Sequence, residues 1–374
     1  MKPQLLPLLA ALALCLLFTS APSAKGLELQ ELKLLPGFQI SIFSDGLDLK
    51  GPRFMAYGPD GVLYVTLTRS GKVVALPDGN DDGVADSVVT VARGLDRPHG
   101  IAFYNGYVYI AETGKIIRFK QDRKSLKLVD NDVVVHNLPT KGGGHFTRTI
   151  AFGPDGKMYV SVGSSCNVCE EKDSRRSAIL RFDPDGSNPE IYAEGLRNAV
   201  GIVFHPVTGE LFGTDNGRDW LGDDLPPDEV NQIAQGAHYG WPWCYGKRIP
   251  DKSFSEKAFC AKTKPSVIDI QAHSAPLGLR FYDGDMFPDE FHGALFIAFH
   301  GSWNRDVPTG YKIVLARTRD NVPTGIYEDF ITGWLKGETN SGRPVDLILD
   351  PAGALLISDD YAGVIYRVTY DGKQ

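Results

Sequence analysis

The sequence predicts an all-β fold, a single six-bladed β-propeller. One short motif recurs six times: an apolar strand, a turn containing Pro, Asp or Gly, and a second strand that ends in a small or acidic residue. The copies lie roughly 45 to 80 residues apart, which is the spacing of hairpins inside four-stranded blades. Patterns with the period of an α-helix are almost absent.

The six copies occupy 54–66, 100–112, 149–163, 201–215, 277–300 and 346–359, and the fifth is the loosest. A third strand follows four of them, at 71–76, 114–119, 177–182 and 363–368, as an antiparallel meander requires. A β-sandwich or a parallel β-helix could also contain such hairpins. A sandwich would not need six copies, and the coils of a β-helix are shorter than these repeats, so we favour the propeller.

The first 24 residues are predicted to be a signal peptide. A Leu/Ala-rich stretch from Leu5 to Phe18 precedes small residues up to Ala24. The apolar run is shorter than the ~20 residues of a membrane span and contains Pro7. We therefore expect a periplasmic or secreted protein in which residues 25–374 form one propeller domain, with no membrane span after cleavage.

The composition argues against a nucleic-acid partner. Hydrophobic residues make up 43% of the chain, enough for the core of a large β domain. The formal net charge is -7, and no dense block of Lys or Arg offers a surface for phosphates. We expect no binding to nucleic acid.

The cysteines predict two disulfides. Removal of the signal peptide would leave four cysteines, an even number in a chain that reaches an oxidising compartment. Cys166 and Cys169 are close enough for a local bridge, and Cys244 and Cys260 could close a longer loop. A zinc site of four thiolates or a redox-active CxxC pair is the alternative.

Polar residues next to inner strands are the candidates for a functional site, because a propeller gathers the loops between its blades at one end of a central channel. His145 follows three glycines and directly precedes an inner strand, a placement that suits a general base. Arg197 and Asn198 precede another inner strand, and Arg343 precedes the last one. Arg69, at a strand end in the first blade, is a further cationic candidate for cofactor binding. Each of these side chains could instead have only a structural role.

Two acidic segments predict calcium. The run from Asp215 to Glu229 is rich in oxygen ligands, including carbonyl groups outside sheet pairing, although it could also be a solvated acidic loop. The segment 78–86 is similar to the first half of an EF-hand loop, with an ordinary Asp-Gly turn as the alternative. The ligands of this second, structural site would be Asp78, Asn80, Asp82 and Asp86.

Several segments together resemble one known family. They are His145 with 153–156, then 195–201, 228–231 with 239–242, and 342–346, in this order and at these spacings. They resemble the glucose/sorbosone dehydrogenases, six-bladed propellers that use pyrroloquinoline quinone (PQQ). The resemblance covers nearly all of the chain after the signal peptide.

The resemblance implies both a reaction and a site. His145 would take the proton from the hydroxyl that is oxidised, and hydride would pass to the PQQ carbonyl carbon that a bound Ca²⁺ activates. The arginines would bind the carboxylates of the quinone. Contacts with the cofactor would come from Arg197, Asn198, Asn216 and Arg343, and the backbone carbonyls of Gly217 and Arg218 would hold its calcium.

The chain departs from the best-known glucose-oxidising members of this family at two places. Those members have an Arg-x-Arg-Asp run where this chain has Arg343-Pro-Val345-Asp346, so one cation is missing. The segment 300–305 occupies the region of a cofactor-binding lysine and is closer to sorbosone and pyranose dehydrogenases. His300 or Arg305 would substitute for that lysine.

These observations predict a PQQ- and calcium-dependent dehydrogenase that acts on an aldose, a sorbosone-like aldehyde or a related polyol. Its electrons would pass to an external acceptor such as a dye, a quinone or a cytochrome, because the sequence has no CxxCH haem motif. Trp220, Trp303 and Tyr361 could line the sugar subsite. The alternatives are a calcium-dependent propeller lactonase and a non-catalytic propeller that binds glycans or another protein.

Overall fold

Six β-sheets form a ring in the computed structural model of the protein, which describes residues 29–46, 49–141, 144–254 and 257–372. Each sheet contains four antiparallel strands, and two of the sheets gain a fifth strand at the outer edge. The six-bladed β-propeller predicted from the repeats is therefore confirmed. The predicted signal peptide, residues 1–24, lies outside the described residues.

The blades are numbered here in the chain order of their innermost strands. Blade 1 contains Pro52–Tyr57, Leu63–Leu67, Lys72–Leu76 and Val89–Arg93, and blade 2 contains Ile101–Tyr104, Tyr107–Ala111, Ile116–Gln121 and Leu128–Val135. Blade 3 contains Ile150–Phe152, Met158–Val162, Ala178–Phe182, Glu190–Glu194 and Ala237–His238, and blade 4 contains Ile202–Phe204, Leu211–Asp215, Asp228–Ile233 and Ile268–Ile270. Blade 5 contains Pro276–Phe281, Leu295–Phe299, Lys312–Ala316, Glu328–Thr332 and Lys33–Leu34, and blade 6 contains Pro344–Leu349, Leu355–Asp359, Val364–Tyr370 and Phe38–Ser44.

The remaining elements are short. Three strand pairs lie outside the blades: Cys244–Tyr245 with Ile249–Pro250, Thr318–Arg319 with Val322–Pro323, and Leu335–Lys336 with Thr339–Asn340. The helical elements are the α-helix Lys257–Cys260 and the 3₁₀ turns Leu29–Glu31, Thr68–Ser70 and Asp289–Phe291. In the described segments, no helix has the length and apolarity needed to cross a membrane.

The ring closes through a strand from the beginning of the described chain. Phe38–Ser44 pairs antiparallel with Val364–Tyr370, so blade 6 combines one early strand with three late ones. Each innermost strand contacts the innermost strands of the two neighbouring blades. This arrangement joins the two ends of the fold and fixes the geometry of the central channel.

Hydroxyl side chains near the ends of three of the repeated motifs connect neighbouring blades. On the second strand of blade 1, Thr66 Oγ1 donates to the carbonyl of His99 at 2.8 Å. Thr214 Oγ1 of blade 4 donates to the Leu277 carbonyl at 2.8 Å, and Ser358 Oγ of blade 6 donates to the Arg53 carbonyl at 2.6 Å. Each bond satisfies a buried carbonyl at an inner strand of the next blade.

Hydrophobic clusters fill the space between blades. One cluster lies between each pair of adjacent blades, including the pair formed by blades 6 and 1. Strand residues pointing to either face of a sheet are therefore buried, as expected where every sheet is covered on both sides. The core is a ring around the channel, and the polar loops remain free to line its ends.

Both predicted disulfides are present. Cys166 is bonded to Cys169 and Cys244 to Cys260. The first bridge closes a turn directly after the second strand of blade 3, and the second connects the short Cys244–Tyr245 strand to the α-helix. The zinc site considered from the sequence is wrong, since all four sulfurs are used in these bonds.

Candidate active site

A cavity of about 410 Å³ lies at the end of the channel where the inner strands begin. We call it the central cavity. Its walls come from loops that precede inner strands or follow second strands, which is where the sequence placed the candidates. The predicted residues that line it are His145, Arg197, Asn198, Asn216, Gly217, His300 and Arg343.

Among the other predicted residues, Arg69, Arg218 and Arg305 do not line the central cavity. Arg69 is exposed on the 3₁₀ turn Thr68–Ser70, outside the central cavity. The guanidinium of Arg218 donates to Asp251 Oδ2 at 2.9 Å. Arg305 donates to the carbonyls of Asp223 and Ala272, so it connects two loops and leaves His300 as the candidate replacement for the family lysine.

His145 is held in one tautomer by Ser164. The Ser164 hydroxyl donates its only hydrogen to the Cys166 carbonyl at 2.6 Å, and it lies 3.0 Å from His145 Nδ1. Because that hydrogen is already used, Nδ1 must be the donor and Ser164 Oγ the acceptor. The proton therefore resides on Nδ1, and the lone pair of the neutral imidazole is on Nε2.

The surroundings of His145 favour its neutral form. Burial, followed by the positive charges of Arg197, Arg176 and Arg148, lowers the pKa of His145 to about 3. An imidazole that stays unprotonated near neutral pH can accept a proton. The site thus meets both requirements for a base, a free nitrogen and the correct protonation state.

Gly163 and Asn198 shape the wall beside His145. A Cβ atom on Gly163 would lie 2.6 Å from both the His145 Cβ and Asn198 Oδ1, so only glycine fits there. Asn198 Oδ1 is buried and has no hydrogen-bond partner in the described part of the chain. A buried acceptor without a donor is unusual in a folded protein and indicates a place for a ligand donor.

Arg197 is a buried cation whose guanidinium is oriented mainly by neutral acceptors. Its side chain is 7% exposed. It donates to the Asn167 carbonyl and to Asn167 Oδ1, both at 2.9 Å, and to the Asn216 carbonyl at 3.1 Å. Asp219 Oδ2 is 3.4 Å away. The positive charge is therefore only partly compensated inside the site.

Arg343 is a half-buried cation that is held by backbone carbonyls. Its Nε donates to the His300 carbonyl at 3.0 Å and its Nη2 to the Gly301 carbonyl at 2.7 Å. Within the described segments, no carboxylate oxygen lies within 4.0 Å of its guanidinium. An anionic ligand in the central cavity would supply the missing negative charge.

Sequence reasoning missed a network that contains a third arginine of the cavity. Arg53 stands at the start of the first inner strand, the position that selected Arg343 in blade 6, so the same rule could have found it. Its Nη1 lies 2.7 Å from Asp360 Oδ2, and Asp360 Oδ1 lies 2.9 Å from His300 Nε2. Burial is the main cause that lowers the pKa of His300 to about 4, whereas its bond with Asp360 raises that pKa.

The predicted calcium ligands beside the cavity lie on a constrained turn. A Cβ atom on Gly217 would lie 2.9 Å from both Pro226 Cγ and the Pro227 carbonyl. The Gly217 amide donates to Asp228 Oδ1 at 2.8 Å, which fixes the backbone at this point. The carbonyl groups of Gly217 and Arg218 are hard oxygen donors of the kind that calcium prefers.

The segment 78–86 folds around its own backbone amides. Asp78 accepts hydrogen bonds from the amides of Asp82 at 3.2 Å and Gly83 at 2.9 Å, and Asp86 accepts one from Gly79 at 2.7 Å. In the described ranges, three ligand atoms from His, Cys, Asp or Glu side chains come within 4.8 Å of one another only at Cys166, Cys169 and Glu171, where both sulfurs belong to a disulfide. Calcium at 78–86 stays a prediction.

Comparisons with known proteins bear on both the fold and the family. The sequence profile described as TrAA12-like matches residues 32–371. An uncharacterised protein of Borreliella burgdorferi is 35% identical over 354 residues, with 91% of each chain covered. The PQQ-dependent pyranose dehydrogenase of Coprinopsis cinerea is 25% identical over 421 residues, covering 94% of this chain and 56% of that protein. The calcium structure of the Trichoderma reesei carbohydrate-active enzyme of family AA12 superposes with a TM-score of 0.78 at 22% identity, covering 91% of this chain and 97% of that one.

Proposed function

The chain belongs to the TrAA12-like family, and from this we propose that it is a PQQ-dependent sugar dehydrogenase whose cofactor binds in the central cavity. The Coprinopsis cinerea relative is named for the same cofactor and for pyranose oxidation. The observation that carries the proposal is the cavity wall itself, which combines a neutral histidine with two arginines, Arg197 and Arg343, whose charges are not fully compensated. A sorbosone-like substrate has no specific support beyond the original resemblance.

The charges of the cavity suit a quinone that bears several carboxylates. Arg53, Arg197 and Arg343 all line the same space. Guanidinium groups bind carboxylates through paired hydrogen bonds, and Arg343 has no protein carboxylate as a competitor among the described residues. Asn198 Oδ1 offers an acceptor to the same ligand. We therefore assign the three arginines and Asn198 to quinone binding.

His145 is the proposed general base. Its Nε2 would take the hydroxyl proton of the sugar while the carbon-bound hydrogen leaves as hydride. A bound quinone would supply the acceptor for this hydride, and a calcium ion beside it would make that acceptor more electrophilic. Ser164 keeps Nδ1 protonated throughout, which preserves the basic nitrogen for the substrate.

The carbonyl groups of Gly217 and Arg218 are the proposed calcium ligands. Calcium takes oxygen ligands, and these two belong to a loop whose neighbouring amide is fixed by Asp228. The Trichoderma reesei structure with calcium has the same fold. Removal of calcium should therefore weaken quinone binding, and added calcium should restore it.

The sugar would enter past two tryptophans. Trp303 lines the central cavity and is 66% exposed, and Trp220 is 70% exposed with its ring centroid 5.5 Å from that of Trp303. Exposed indole rings at a cavity mouth can pack on the apolar face of a sugar ring. Tyr361 is 59% exposed and lies outside the cavity wall, so we leave it out of the sugar subsite.

The proposed enzyme is exported, and its electrons leave through an external acceptor. The two disulfides agree with folding in an oxidising compartment. The acceptor would approach the exposed mouth of the cavity, and the acceptor classes considered above, a quinone, a cytochrome or a dye, all remain open.

A lactonase has less support. Its metal would need several carboxylates converging in the channel, yet no cluster of three possible acidic or histidine ligands occurs in the central cavity over the described ranges. The carboxylates there have other partners: Asp219 contacts Arg197, and Asp228 accepts the amides of Gly217 and Ala275. A purely binding propeller would not require the neutral, tautomer-fixed His145.

The test is a titration of the purified mature protein with PQQ in the presence of calcium, followed by a panel of aldoses, sorbosone and related polyols. The absorption spectrum should show saturable quinone binding and then bleaching when a substrate reduces the quinone. Addition of a chelator before the quinone is the control for calcium. Failure to bind quinone at micromolar concentration would overturn the proposal, and binding without bleaching by any sugar would remove the assigned substrate class.

A further inference from the structure

The loop after the second strand of blade 3 contacts two functional residues at once. It runs from Ser164 to Glu171 and is closed by the Cys166–Cys169 disulfide. We propose that this loop, the disulfide clamp, sets the positions of His145 and Arg197, and that Asn167 is its positioning residue. The consequence for quinone binding rests on the proposed function, whereas the contacts themselves do not.

Asn167 holds Arg197 and the loop of blade 4 together. Its carbonyl and its Oδ1 each accept a hydrogen bond from the Arg197 guanidinium at 2.9 Å. The same Oδ1 accepts the Asp219 amide at 2.8 Å, and its Nδ2 donates to the Asp219 carbonyl at 3.2 Å. One side chain thus joins a cavity arginine to the segment that follows Gly217 and Arg218.

The clamp also reaches His145. The Cys166 carbonyl accepts the Ser164 hydroxyl at 2.6 Å, and this bond makes Ser164 Oγ an acceptor for His145 Nδ1. The backbone of Ser164 contributes too, since its carbonyl accepts the His145 amide at 3.0 Å and its amide donates to the Arg197 carbonyl at 2.8 Å. The proposed base and the proposed quinone ligand are therefore oriented by one short loop.

The disulfide matters because the clamp uses main-chain atoms. The carbonyls of Cys166 and Asn167 both belong to the ring that the bridge closes, so their directions depend on the backbone of Cys166–Cys169. Without the Asn167 acceptors, the Arg197 guanidinium would keep the Asn216 carbonyl and Asp219, the carboxylate that lies 3.4 Å from its Nη2. Closer pairing with Asp219 would neutralise the cation that the quinone needs.

The first test compares two double variants. Cys166→Ser/Cys169→Ser opens the clamp, and Cys244→Ser/Cys260→Ser removes the other disulfide as a matched control. The control bridge closes the longer loop, so its loss should lower Tm more. We expect the clamp variant to bind PQQ with calcium about 10-fold more weakly and the control variant to bind within about 2-fold of the unaltered protein. Unchanged quinone affinity in a folded clamp variant would overturn the proposal.

The second test adds a measurement of hydrogen exchange, which needs no cofactor. In Asn167→Ala, the Asp219 amide loses its acceptor, and its hydrogen exchange should become about 10-fold faster or more while exchange in the strands of blade 2 stays unchanged. Quinone affinity should fall about 10-fold, with Tm close to that of the unaltered protein. Unchanged exchange at Asp219 would refute the clamp even if quinone binds. If exchange at Asp219 is faster in the variant but the unaltered protein binds no quinone, the clamp stands and the proposed function alone is contradicted.

Discussion

Replacement of His145 by alanine is the most informative change to the proposed base. A lost general base costs on the order of 10² to 10⁴-fold in turnover. The imidazole of His145 makes its side-chain hydrogen bond with Ser164, which keeps its own bond to the Cys166 carbonyl when the ring is removed. We therefore expect His145→Ala to keep quinone affinity within a few-fold and to lose at least about 100-fold in the rate of quinone reduction.

Ser164→Ala provides a graded comparison. This variant removes the acceptor of His145 Nδ1–H but leaves the imidazole in place. The two neutral tautomers then become closer in free energy, and a smaller fraction of the imidazole has its free lone pair on Nε2. The rate should fall by about 10-fold, much less than in His145→Ala. His292, an exposed histidine outside the central cavity, is the matched control, and His292→Ala should have the unaltered rate.

The assay is single-turnover reduction of bound quinone, followed by absorbance after rapid mixing with the aldose that bleaches it fastest. Deuterium at the oxidised carbon should slow this step in the unaltered protein, because hydride transfer is measured directly. If His145→Ala reduces the quinone at the unaltered rate, His145 is not the base. A loss confined to quinone affinity would give His145 a binding role instead.

Three further predictions follow from the charges and the mouth of the cavity. Arg343→Ala should weaken PQQ binding about 10- to 100-fold in an equilibrium titration, as expected for a lost hydrogen bond to a charged group. Arg343→Lys should recover only part of the lost affinity. Equal affinity in the unaltered protein and both variants would show that Arg343 has a structural role. With a folded pKa of about 3, below the ~6.5 of an unfolded histidine, His145 should stay neutral in NMR titrations of the cofactor-free protein from pH 7 to about 4. The unfolded chain takes up this proton from about pH 6.5 downward and the folded protein does not, so His145 should lower the free energy of unfolding progressively as the pH falls from about 6.5 to about 3; a midpoint near pH 6.5 in the folded protein would contradict the burial argument. Bound carboxylates near Arg197 should raise this pKa, and the same titration with PQQ would detect it. Trp303→Ala should raise KM for the sugar several-fold and leave the quinone affinity unchanged, and a changed quinone affinity with constant KM would place the cofactor, not the sugar, against Trp303.

The sequence predicted the fold because the repeated hairpins are local. Each motif such as 54–66 contains its own strands and turn, so six copies specify six blades without knowledge of distant contacts. The strand Phe38–Ser44 was not predicted to belong to blade 6, because its partner Val364–Tyr370 lies at the other end of the chain. Closure of a propeller depends on such a pairing, which no local pattern reveals.

Position relative to an inner strand predicted several residues that line the central cavity. Arg197, Asn198 and Arg343 meet in the central cavity because the beginnings of inner strands converge there. The direction of a long side chain in an irregular loop is not encoded in that way: the guanidinium of Arg305 binds loop carbonyls and does not line the central cavity. Asn167 was missed because a residue between two cysteines gave no signal of its contacts with Arg197.

The most direct test of the proposed quinone site is a crystal structure of the protein with PQQ and calcium. The tricyclic quinone should occupy the central cavity, with carboxylates at Arg53, Arg197 or Arg343, calcium at the carbonyls of Gly217 and Arg218, and His145 Nε2 open to the substrate side. Quinone bound elsewhere, or a cavity that stays free of quinone in crystals of a protein that oxidises sugars, would contradict the account.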